Sequence, residues 1–106
     1  MALTKVTSNV LADEFFSSSA ITTDVDWTAS SVFTKTCTAN TTITFSNVKT
    51  GMVKTLVIDG NYALTWPAGV KWLNGTYNGT ATKNIIQLIS TNGSTEIFGT
   101  ISNYTA

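Results

Sequence analysis

The sequence predicts an all-β protein: a small antiparallel β-sandwich or β-roll of about six strands behind an irregular N-terminal arm. Three observations predict it. Of 106 residues, 21 are Thr, 10 Ser and 9 Asn, and β-branched Thr favours the pleated surface of a sheet. The strong helix formers are scarce overall. From about residue 32 onward, short alternating or apolar runs recur at intervals of roughly ten residues, with turn signals between them.

Residues 1–30 read as an attachment arm and residues 31–106 as a β-domain. In the arm, Ser8 and Asn9 can cap a short helix over residues 10–16, with Asp13 and Glu14 in its first turns. Phe15 and Phe16 precede Ser17, Ser18 and Ser19, a linker-like composition. Residues 22–27 are polar with one Trp. Such an arm packs either on its own sheet or on a neighbour.

The β-domain opens with residues 32–38, whose alternation puts Phe33, Lys35 and Cys37 on one face. Over residues 42–46, Ile43 and Phe45 oppose Thr42, Thr44 and Ser46. Residues 47–51 form a turn. Residues 52–58 are mostly apolar on both faces, the pattern of a strand covered on both sides. Asp59-Gly60-Asn61 reads as a hairpin turn. Tyr62, Leu64 and Trp66 then share a face, and Pro67 ends that strand because it has no N–H to donate. Residues 70–73 are a short apolar patch containing Trp72, and residues 74–83 a loop with Asn-Gly at Asn74 and again at Asn78. Residues 85–89 are apolar on both faces, and Asn92-Gly93 makes a second hairpin turn. The last strand, residues 96–101, sets Ile97, Gly99 and Ile101 against Phe98. No internal repeat of fixed sequence is visible. Strands apolar on both faces need two covers; one domain supplies one core, and a second copy of the chain can supply the other cover.

Charge excludes several functions. Charged residues make up 11% of the chain, with 6 Lys or Arg against 6 acids and no His; all six bases are Lys. A neutral chain without Arg has no electrostatic footprint for nucleic acid. Without His it lacks the commonest general base and the commonest zinc ligand. One Cys makes no internal disulfide. No run of about eighteen apolar residues suggests a membrane span, and residues 1–7 lack the apolar stretch of a secretory signal. No cofactor, metal or enzymatic activity is expected. Low charge under a Thr/Ser/Asn surface points to a particle or coat protein more than to a metabolic enzyme.

Among candidate sites, Asp24 and Asp26 share a face in an extended segment, the start of a calcium seat or an acid/base pair. A calcium loop wants further oxygen ligands, so a solvated polar segment is the expectation. Cys37 has no His to activate it and reads as a buried small hydrophobe. Trp27, Trp66 and Trp72 with Tyr62 and Tyr77 could form a sugar-stacking platform, CH groups on the rings and polar edges toward hydroxyls. The competing reading makes Trp66 and Trp72 core or interface anchors, where Trp is enriched. Tyr77, in the Gly-rich loop, is the aromatic expected to be most exposed. Asn-x-Ser/Thr triplets at Asn40, Asn74, Asn78, Asn92 and Asn103 follow from the Asn and Thr content alone.

Two stretches carry a resemblance. Met1-Ala2-Leu3-Thr4-Lys5-Val6-Thr7 is similar to the start of many tail-fibre and tailspike proteins of tailed bacteriophages. Phe33-Thr34-Lys35, residues 40–47, Leu56-Val57-Ile58 and residues 64–72, with Trp66-Pro67-Ala68 leading to Val70 and Trp72, resemble the small trimeric β-domain of tail fibres, head fibres and other virion appendages. The resemblance covers roughly residues 32–101. It implies a non-enzymatic homotrimer located in the virion, with capsid or tail proteins as partners, no nucleic acid and no membrane, and a host surface glycan as a further candidate partner. A short chain of this kind suits a head decoration or head-fibre protein, a tail-fibre or tail-adaptor component being the alternative; a carbohydrate-binding module is a third. Under this reading Leu3, Val6, Val10, Leu11, Phe15 and Phe16 dock the arm. Trp66, Val70, Trp72, Ile85 and Ile89 lie in the core or between subunits, and Tyr77 is the candidate ligand contact.

Overall fold

The computed structural model describes residues 18–59 and 62–106. Among these the protein is all-β, with no helix. Its ten strands are β1 (Ser18–Ala20), β2 (Asp24–Asp26), β3 (Val32–Thr36), β4 (Thr41–Thr42), β5 (Thr44–Ser46), β6 (Val53–Asp59), β7 (Leu64–Thr65), β8 (Val70–Asn74), β9 (Lys83–Asn92) and β10 (Glu96–Tyr104). One six-stranded sheet runs in the order β1-β3-β6-β9-β10-β8, and β2-β5 and β4-β7 form two small ladders.

The architecture differs from the antiparallel sandwich or roll of about six strands that the turn spacing suggests. β1, β3 and β6 pair in parallel, as do β2 with β5 and β4 with β7. The chain winds in stacked, solenoid-like coils, each strand lying beside its counterpart one coil earlier. Coil lengths are unequal. Ser18 lies opposite Val32, an offset of 14 (32 − 18), and Val32 opposite Thr55, an offset of 23 (55 − 32). A drifting offset leaves no fixed period, which explains why no repeat is visible in the sequence. Backbone bonds seal the corners: Ile21 N–H donates to Thr34 O, Trp27 N–H to Ser46 O and Ile43 N–H to Thr65 O. Gly51, at φ +92°, takes a left-handed turn at one corner where a side chain would be strained.

β6 and β7, on either side of the hairpin turn expected at Asp59-Gly60-Asn61, do not pair: β7 runs parallel to β4, and Gly60 and Asn61 themselves lie outside the described residues. The hairpin at Asn92-Gly93 does: β9 and β10 run antiparallel from Glu96–Asn92 to Tyr104–Lys83, with one bulge beside the turn. β6 pairs antiparallel with β9, joining the hairpin to the coils. β8 adds in parallel to the far edge of β10.

Residues 18–30 pack on the chain's own sheet. They carry β1 and β2 and place Val25 and Trp27 fully inside the core. The expected helix over residues 10–16, and the docking residues Leu3, Val6, Val10, Leu11, Phe15 and Phe16, lie outside the described residues.

Period-two alternation sorts the six-stranded sheet into two faces. Inward rows run across the strands. Phe33, Leu56, Ile86 and Ile101 stand in register, as do Lys54, Leu88, Gly99 and Trp72. Phe33, Leu56, Ile86 and Leu88 are buried with Ile43, Ile58 and Ile97 against Val25 and Trp27. Trp27 meets the Phe45 ring edge-to-face at 5.5 Å. Two lysines also point inward, and both end on backbone carbonyls: Lys35 Nζ donates to Thr22 O, and Lys54 Nζ to Ser30 O at 2.8 Å. Each ammonium ties a loop of the first coil to a strand of a later one, where an unpaired buried charge would be costly.

Candidate functional site

Two surfaces stand out, on opposite faces of β8. Trp72, in register with buried Gly99, lines the inner side, and Leu73, where the β8–β10 register shifts by one residue, lines the outer side.

On the inner side the chain builds an aromatic groove of about 420 Å³, lined by Leu64, Trp66, Trp72, Thr76, Tyr77 and Ile101. Trp66 and Trp72 meet edge-to-face, centroids 5.3 Å apart at 74°, a favoured geometry for aromatic pairs. Gly99 makes room for this: a Cβ there would lie 2.6 Å from the Trp72 ring and 2.9 Å from Leu88 Cδ2. Gly75, at φ +81°, brings the following loop onto β10 so closely that a Cβ would collide with the Ile101 carbonyl. The other wall is held from below, where Asn40 Oδ1 accepts from the Ala63 N–H at 3.0 Å.

The loop carrying Tyr77 is fixed by Asn84, which is fully buried in β9. Asn84 Oδ1 accepts from Asn78 N–H at 3.0 Å, and Asn84 Nδ2 donates to Asn78 O at 2.8 Å. Asn103 Nδ2 donates to the same Asn84 oxygen and to Thr76 O. Sequence reasoning missed this residue. The available signal was a polar side chain on the inward face of an otherwise apolar strand, which needs partners when buried.

Tyr77 is not the most exposed aromatic. It is half-buried against the core, and its hydroxyl donates to Tyr62 O at 2.7 Å. Burial pushes its phenol up to about 12, the adjacent Cys37 sulfur adding to the effect. Trp72 is more open at 36% exposure, and Tyr62 is exposed at the rim. Trp66 and Val70 are half-buried against the core. Trp27 is in the core and takes no part in the groove. The lining contains no Asp, Glu or Lys.

On the outer side, Val53, Ile89, Phe98 and Lys71 stand in register across β6, β9, β10 and β8. Val53 is 57% exposed, Leu73 60% and Ile89 42%. Together with Phe98 they surround a shallow hollow of about 230 Å³. Lys71 lies 5.9 Å from the Phe98 ring centroid and pairs with Glu96 at 3.0 Å. Thr91 and Lys71 both donate to Glu96 and hold its carboxyl below the usual range. Ile85 shares this face beside Val57. The five residues expected in the core or between subunits thus divide: Trp66, Val70 and Trp72 face inward, and Ile85 and Ile89 face outward.

Asp24 and Asp26 serve as struts. Asp24 accepts from Thr44 Oγ1 at 2.8 Å and Ser46 Oγ at 2.7 Å, bracing β2 on β5. Asp26 Oδ1 accepts from Asn47 Nδ2 at 2.9 Å and from both Thr28 N–H and Thr28 Oγ1. Those donors hold the Asp26 carboxyl below its usual value. Among the described residues no third acid, Cys or His joins them to hold a metal. Cys37 is a buried free thiol.

Comparison of the chain with protein-family models, with curated proteins and with solved structures found no match.

Proposed function

We propose that the chain is a non-enzymatic structural protein of a tailed-phage particle, a small homotrimeric head decoration or head-fibre protein held to the particle by its N-terminal residues. The observation that carries the assembly half of this reading is the outer face of the six-stranded sheet. Val53, Leu73, Ile89 and Phe98 form one apolar patch there, rimmed by Thr and by the Lys71–Glu96 pair. Fully burying one such side chain is worth about 1.5–3 kcal/mol, so three copies meeting on this patch associate without charge pairing. The virion half rests on the appendage resemblance and on the low-charge, Thr-rich composition. The same symmetric assembly would also serve a tail-fibre or tail-adaptor component, and copy number per particle separates the placements.

Two variants test the reading. Val53→Lys with Ile89→Lys places charges on the patch and leaves the inner core untouched; it should dissociate the oligomer while the β-sheet circular dichroism persists. Removing residues 1–17, which precede β1, should leave the sheet folded and abolish incorporation into particles. Particles purified from cells producing the native chain should carry it, as read by antibody across a density gradient. A chain found wholly in the free fraction contradicts the proposal.

A further inference from the structure

The outer patch accounts for assembly and leaves the aromatic groove unexplained. Because Trp72 and Leu73 point to opposite sides of β8, the groove stays open when the outer face is covered. Its volume of about 420 Å³ lies within the roughly 300–1,000 Å³ of sites that hold a small organic ligand.

The lining narrows the ligand class. With no Asp, Glu or Lys on the wall, nothing compensates a charged ligand on desolvation, which disfavours phosphates and acidic sugars. The Trp72 indole is presented at 36% exposure and kept in place by Trp66 on one side and Gly99 beneath. A rigid, partly open indole suits a flat apolar face such as the CH face of a pyranose. The Tyr77 hydroxyl decides between the two ligand classes that stack on aromatic grooves. Its proton is committed to Tyr62 O at 2.7 Å, so the phenolic oxygen can only accept. A proline-rich peptide offers carbonyl acceptors, which the indole N–H groups of Trp66 and Trp72 can satisfy, but it brings no donor for the Tyr77 oxygen. A sugar hydroxyl can donate to it. We infer that the groove is a binding site for a neutral saccharide, one pyranose ring stacking on Trp72 with a hydroxyl donating to Tyr77 Oη.

The test is a titration of the full chain, followed by tryptophan fluorescence, against a panel of neutral oligosaccharides built from glucose, galactose, mannose and N-acetylglucosamine units. A ten-residue polyproline peptide and a sialylated oligosaccharide are the comparison probes. The expected result is a saturable signal with at least one neutral oligosaccharide at millimolar concentration or below. Trp72→Ala should weaken it by about tenfold or more, a loss of ~1.4 kcal/mol. Tyr77→Phe keeps the ring and the fold and should weaken it by a smaller factor, so the proposal stands on two variants. Preference for the peptide or for the sialylated probe overturns the inference. So does the absence of any neutral-sugar signal, or binding that both variants leave intact. The patch variant Val53→Lys/Ile89→Lys should bind as the parent does, which separates the failure of this inference from failure of the assembly proposal.

Discussion

The stacked coils of β1 to β7 and the terminal β9–β10 hairpin both bury one apolar face, but they find their neighbours differently. In the hairpin, Asn92-Gly93 turns the chain back on itself, and register follows from the turn outward. In the coils each strand lies beside a segment 14 to 23 residues away, from Ser18–Val32 to Thr41–Leu64. No turn sets that register. The interior sets it instead: Phe33 on Leu56, Val25 on Phe45, and the lysines reaching back to loop carbonyls. The hairpin is therefore robust to interior changes at a distance, whereas the coils depend on a few large residues far apart in sequence.

The largest expected effect tests that dependence. Trp27 is fully buried in the first coil, and Trp27→Ala should cost about 3–5 kcal/mol in denaturant unfolding. Trp27→Phe should cost much less than the Ala change. The indole N–H has no hydrogen-bond partner, so the phenyl ring discards a buried polar group while keeping most of the volume. Equal losses from the two would show that the ring's bulk is not what holds the coils.

Asn84 joins the two regions' logic, sitting in the hairpin but fixing a long loop. Asn84→Ala strands the Asn78 backbone groups and should cost about 1–3 kcal/mol. It should also loosen the Tyr77 loop, so the phenol falls from about 12 back toward its ordinary 10.0. Ultraviolet titration reads this directly, as the loss of the late Tyr77 step. Because the folded phenol titrates above the unfolded one, stability is intact below about pH 10 and declines between 10 and 12. An unchanged titration in Asn84→Ala would mean that the loop is held otherwise.

At the turn itself, Gly93 has φ +53° with open space around its Cβ position. Gly93→Ala should cost only about 1 kcal/mol, from backbone conformation alone, and should leave register unchanged by amide exchange. The smallest effect is at acid pH. The carboxyls of Asp26 and Glu96 are both held below their usual values. Their contributions are complete above about pH 5 and fade as pH falls through the lower folded values. Asp26→Asn should flatten that acid slope in a thermal melt series; a slope unchanged by the substitution would remove Asp26 from the account.

Much of this was legible in advance, and the boundary has a physical cause. Alternation placed Phe33, Lys35 and Cys37 inward and Ile97, Gly99 and Ile101 together, because the two-residue period survives whatever the partner strand is. Composition carried the all-β class. Pairing direction was not legible where it depended on distant stacking: Asp59-Gly60 resembles a hairpin turn, yet the chain after it joins β4. The meeting of Trp66, Trp72 and Tyr77 was visible as a set of aromatics. Trp27's separation from them was not, since it depends on which coil each occupies. The double-sided apolar character of residues 52–58 and 85–89 was legible too, and it leaves Val53 and Ile89 uncovered in a single copy.

That uncovered face is where the account is most exposed to test. The solution mass of the purified full chain, measured by light scattering coupled to size exclusion, should be three times the 11.3 kDa of one copy. Val53→Lys/Ile89→Lys should return it to one copy. A parent chain that remains at 11.3 kDa at every concentration examined would contradict the self-association on which the proposed function rests.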